Sequence, residues 1–123
     1  MTENVGCVLT EKYSAAATLR REKLRIISGI TALNLFREQR FAEAEEYRRP
    51  FIEIKDYSVE DFAQGLGFGF VPNKNEIKEV ATELISIAKA ISQDPKSLKD
   101  DEIKKYSERL VELLNVISSI ARI

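Results

Sequence analysis

The chain has 123 residues and a near-even charge balance, 19 Lys and Arg against 20 Asp and Glu, so bulk charge favours neither a nucleic-acid nor a membrane partner. It has no histidine and one cysteine, Cys7. That excludes His-based triads and metal sites, an intramolecular disulfide and a thiolate zinc cluster, leaving a soluble, reducing, cytoplasmic setting or an intracellularly assembled particle as the expectation. Many Ile, Lys and Glu with little Cys, Met or Trp hint at a thermophile.

One domain is expected over 1–123, with 1–9 frayed and flexible. No stretch reaches the roughly 20 apolar residues of a membrane span. Thr10 is a plausible N-cap, and from Glu11 to Arg49 the pattern is helical without a proline. Pro50 should end this arm. An unbroken helix of that length would run roughly 60 Å, far longer than a compact chain of this size. Tyr13, Ala17, Leu24 and Ile27 share one face, whereas Ile26, Ile30, Leu33, Phe41 and Ala44 share another. The changeover falls on Ser28-Gly29, so a kink is predicted near Gly29. The rival is a straight helix that contacts two partners in succession.

Seven of the nine arginines lie in this arm: Arg20, Arg21, Arg25, Arg37, Arg40, Arg48 and Arg49. Interleaved glutamates read as solvated i,i+4 pairing. The functional alternative is a set of guanidinium forks for phosphate. Arg37 and Arg48, on the second stripe, should lay their stems on the core edge.

Residues 50–72 break the helical period. Phe51–Tyr57 is rich in aromatic and β-branched residues and predicts an extended or short β segment. Phe51–Ile54 could pair with Phe68–Val71 in a small sheet, or accept a neighbour's strand. Between them Ser58 and Asp61 form a capping-box pattern that opens a short helix to about Gln64. Gly65-Leu66-Gly67-Phe68-Gly69-Phe70 has neither the Rossmann nor the Walker spacing. Alternating Gly and Phe instead suit a bendable apolar loop. Leu66, Phe68 and Phe70, with Phe51 and Ile54 as a second anchor, are the candidate interaction residues if they are not absorbed into the chain's own core.

Residues 73–123 predict an antiparallel helical hairpin. Ile77, Val80, Leu84, Ile87 and Ile91 step by 3 and 4, as do Ile103, Tyr106, Leu110, Leu113, Ile117 and Ile120. Asn73 or Asn75 should cap the first helix, which runs to about Gln93; Asp94-Pro95 turns the chain; Ser97 or Asp100 caps the second. Ala81, Ile85 and Ala88 on one helix, and Val111, Leu114, Val116 and Ala121 on the other, widen the apolar stripes beyond a single seam. They need neighbours, either from the first half in a four-segment bundle or from another chain.

The carboxylate clusters Glu43, Glu45, Glu46 and Asp100, Asp101, Glu102 lack calcium-loop spacing and read as solvated faces and helix-dipole partners. No catalytic constellation, metal site or cofactor site is expected, nor a small-molecule substrate. The expectation is a mainly α, non-enzymatic helical bundle that works by assembly, as a homo-oligomer or a small structural subunit with a protein partner. The alternative is a nucleic-acid-associated accessory subunit of a ribonucleoprotein complex that uses the arm's arginines.

Overall fold

A computed structural model describes residues 3–66, 74–94 and 97–120, with side chains from 17 to 66, 75 to 94 and 97 to 119. Five α-helices follow in order: α1 Glu3–Arg37, α2 Phe41–Ile52, α3 Val59–Gly65, α4 Lys74–Ile91 and α5 Asp100–Ile120. A 3-10 turn, Glu53–Asp56, joins α2 to α3. There is no strand among the described residues.

The chain folds into a four-cornered bundle. α1 packs on α2, α3 and α5; α4 packs on α2, the 3-10 turn, α3 and α5. Thus α1 and α4 occupy opposite corners, with the α2-to-α3 segment and α5 between them. Asn34 receives a 3.4 Å hydrogen bond from Ser107, and Arg37 pairs with Asp100 at 3.6 Å, so α5 runs antiparallel to α1. α5 also turns back along α4, where Arg109 donates to both carboxylate oxygens of Glu83.

Both heptad seams face inward. Ile77, Val80, Leu84, Ile87 and Ile91 are buried, as are Ile103, Leu110, Leu113 and Ile117. The widening residues Ala81, Ile85 and Ala88 are buried too, because α4 touches segments on two sides. Each fully buried Leu or Ile contributes roughly 1.5–3 kcal/mol relative to an exposed one, so these seams are the main source of cohesion.

The first half departs from expectation in three places. Helix α1 continues through Ser28-Gly29, and the chain reverses instead at 38–40. There Gln39 takes a left-handed φ of 62°, and the Arg40 amide reaches back to the Leu35 carbonyl at 2.9 Å. Gly29 also has a packing role. A Cβ there would lie 2.7 Å from Phe51 Cγ, so the absent methyl is the notch that seats the Phe51 ring as α2 returns along α1.

Pro50 does not stop α2, which continues to Ile52. The bond it cannot make belongs to the carbonyl of Glu46, an exposed residue whose turn water can serve. Residues 51–56, expected to be extended, complete α2 and then form the 3-10 turn. Phe51 and Ile54 are fully buried, and Tyr57 packs against the core. Their spacing of three is the repeat of a 3-10 helix, and burial on one side overrides the local β preference. The partner proposed for that strand, 68–71, lies outside the described residues.

Ser58 caps α3 as expected, its Oγ accepting from the Asp61 amide at 3.1 Å. Asp100, Asp101 and Glu102 occupy the first turn of α5, where they suit the positive helix end.

Candidate functional site

Of the five apolar residues singled out as partner anchors, Phe51, Ile54 and Leu66 are in the core. They hold the α2-to-α3 segment inside the bundle and present no surface to another molecule. Phe68 and Phe70 lie outside the described residues.

The arginines are dispersed rather than gathered. Arg48, only slightly exposed, donates to the carbonyls of Ile91 and Gln93, both at 3.0 Å, and pairs with Glu45 at 2.7 Å. Its guanidinium also lies 5.9 Å from the centre of the Phe36 ring. It thereby satisfies the C-terminal carbonyls of α4 from α2, a long-range cap that no local pattern announces. Arg25 donates to the Tyr57 hydroxyl, lies over the Tyr57 ring and pairs with Glu53 at 3.5 Å, tying α1 to the segment before α3. Arg40 is held by Glu43 and Glu38 beside the turn, and Arg37 by Asp100. Arg20 and Arg49 are exposed on different helices. The arm therefore uses most of its guanidinium forks to bind itself together.

Among the described residues, aliphatic side chains also face outward. Leu24 is 56% exposed and Ile27 44%, one turn apart on α1. On α5, Val111 is 43% exposed. The register set by Asn34–Ser107 and Arg37–Asp100 places Val111 and the half-buried Leu114 level with residues 25–30 of α1. Leu114 packs against the core, so Val111 is the outward aliphatic residue of α5 in the stretch level with Leu24 and Ile27. Phe41 and Tyr47 are further exposed aromatics on α2.

A second feature lies where α1 meets the start of α3. A cleft of about 350 Å³ is lined by Thr18, Arg21 and Glu22 from α1 and by Asp56, Tyr57, Ser58, Asp61, Phe62 and Gly65 opposite. Gly65 permits the approach, since a Cβ there would sit 3.2 Å from Thr18 Cγ2. Glu22 is 3% exposed. Its Oε1 lies 3.7 Å from Arg21 Nε, whereas Oε2 is buried without a hydrogen-bond partner. Burial pushes the Glu22 carboxyl above its usual range, against the opposing pull of Arg25 and Arg21.

Glu22 was not among the sequence candidates, although a signal was present. Glu22, Ile26, Gly29, Leu33 and Phe36 step by 4, 3, 4 and 3, and all five are buried. This is the true inward seam of α1, and it carries a carboxylate at a position where a bundle normally has an aliphatic side chain.

No protein-family model, curated protein or solved structure matches this chain. Among the described residues no helix is long and apolar enough to cross a membrane, and no group of three or more acidic, Cys or His residues could hold a metal ion.

Proposed function

We propose that this protein is a non-catalytic helical assembly protein of the cytoplasm or of an intracellularly assembled particle, acting as a homo-oligomer or as a small structural subunit of a larger complex. The observation that supports this most is the outward aliphatic stretch on the α1–α5 pair. Leu24 and Ile27 sit at helical spacing on the outside of a bundle that has otherwise internalised its α4 and α5 seams. Outward aliphatic residues gathered at one level of a bundle suit a docking face. The heptads therefore support the reading differently than first expected, since they build the scaffold and leave contact to α1.

Nucleic-acid association would need the arm's arginines to be free for phosphate. Arg25, Arg37, Arg40 and Arg48 already have internal partners, so the geometry favours the assembly reading over that one.

Light scattering after size exclusion, over a range of concentrations, tests the assembly reading. The wild-type chain is expected to exceed the mass of one copy, and the L24K/I27K variant to return to one copy with unchanged helicity. A wild-type chain that stays single throughout, and has no interacting protein sensitive to L24K/I27K, would overturn it.

A further inference from the structure

We propose that the cleft between α1 and α3 is a binding site for a primary alkylammonium group, with Glu22 as the principal acceptor at its base and Tyr57 as the wall for the methylene stem. This rests on the cleft alone and is independent of the assembly reading.

Glu22 occupies a seam position of α1 where an aliphatic residue would fill the space without electrostatic cost. One carboxylate oxygen has no partner within the protein, and the other has only a distant guanidinium. A buried acceptor left open in this way is most simply completed by a donor from outside. The surrounding charge defines the donor's sign. Glu22, Asp56 and Asp61 supply three carboxylates to the lining and Arg21 one guanidinium, with Lys55 paired to Asp56 at 3.1 Å beside it, so one negative charge is in excess. Arg21 is well exposed, with room to swing outward, and Arg25 is engaged with Tyr57 and Glu53. A net negative cleft attracts a cation and repels an anion.

Shape narrows the class further. Tyr57 and Phe62 meet edge to face with ring centres 5.6 Å apart, and the half-buried Tyr57, backed by the buried Phe62, gives the cleft its apolar side. A compact ammonium on a short aliphatic stem matches a single open carboxylate oxygen beside an apolar wall, whereas a guanidinium would seek both oxygens of one carboxylate, and Arg21 already faces the other oxygen of Glu22. A cleft of about 350 Å³ is at the small end of ligand sites and suits a stem of a few carbons. Two sources carry this chemistry, a free alkylamine and a lysine side chain of another protein.

The test is a titration of the intact protein, followed by amide NMR shifts, with three probes: n-butylammonium, butyrate and Nα-acetyl-lysine N-methylamide. Saturable shifts are expected with butylammonium at Thr18, Glu22, Tyr57 and Gly65, and none with butyrate. E22Q should weaken binding at least about tenfold, as loss of a charge-assisted hydrogen bond implies, and D61N less. Wild-type affinity should fall as acid neutralises Glu22. Stronger binding of the blocked lysine than of butylammonium would identify a protein lysine as the occupant, and the reverse order a free amine. Either order supports the site. Absence of saturable shifts with both cations, or equal binding by wild type and E22Q, would overturn it.

Discussion

Helices α1 and α4 stand at opposite corners of the same bundle, and they fill their inward faces by different means. α4 presents Ile77, Val80, Leu84, Ile87 and Ile91, an unbroken aliphatic row buried from end to end. α1 presents Glu22, Ile26, Gly29, Leu33 and Phe36, in which one position carries a carboxylate and another carries no side chain at all. α4 is held by apolar area. α1 buries apolar area at Ile26, Leu33 and Phe36 but also relies on fit, through the Phe51 ring over Gly29 and the Arg25 link to Tyr57, and its row includes an ionisable group that area alone would reject. A seam that gives up stability at one position has that position available for something else.

The strongest way to break this contrast is to remove area from α4. L84A should cost about 3 kcal/mol, because Leu84 is fully inaccessible and the bundle can close the cavity only in part. Denaturant midpoints measure it, and a cost no larger than that of a surface substitution would mean the α4 row is not the core. Next in size is G29A. The added methyl meets Phe51 Cγ at 2.7 Å, and overpacking of this kind costs about 2 kcal/mol, of which better helix propensity returns at most about 1. Pairing G29A with F51L in a double-mutant cycle should reveal coupling; strict additivity would refute the notch.

The remaining two predictions have opposite pH dependence, which sharpens the comparison. Glu22 has a raised pKa in the folded state, so the folded protein holds that proton more tightly than the unfolded chain does. Its ionisation therefore lowers stability above the raised value, and that loss is relieved as pH falls to the ordinary value of 4.5. E22Q should accordingly be more stable than wild type at neutral pH by about 1 kcal/mol, with the gap closing on acidification. A gap that persists or widens in acid would contradict the assignment. Glu83 behaves in the reverse sense, since hydrogen bonds from Arg109 hold its carboxyl below the usual range. Its contribution is present above the ordinary carboxylate range and is lost as pH falls through the lowered value. Solvent screens this pair, so a double-mutant cycle with E83Q and R109M should return about 0.5 kcal/mol or less, shrinking with salt. A large, salt-independent coupling would place the pair in the core instead.

The two corners also differ in how far their sequences could be read. The α4 and α5 rows are uninterrupted, so their period, their burial and the hairpin between them follow from spacing. Ser58 could be read for the same reason, because a cap acts within four residues. The row of α1 is interrupted by Glu22 and Gly29, and the cleaner stripe through Leu24 and Ile27 proved to be the outward one. The reversal after α1 falls at Gln39, a residue with no turn signature, whereas the expected breakers, Gly29 and Pro50, lie inside helices. In each case a distant partner decides the outcome: Phe51 for Gly29, the α4 C-terminus for Arg48, and the rest of the core for the 51–56 segment. The cleft could not be read because it depends on how closely Gly65 approaches Thr18, which is set by tertiary packing.

The ring seated on Gly29 has a consequence beyond local packing. Sliding α2 by one turn along its neighbour would carry that ring to Arg25 or Leu33, where a long side chain stands in the way. The hairpin therefore has a single longitudinal setting, like a key cut with one tooth. Everything downstream of residue 51 inherits that alignment, including where Tyr57 arrives beside α1 and how wide the gap above Glu22 stands. A mutation at position 29 should thus be felt most at the far end of the hairpin, some distance from the atom that was added.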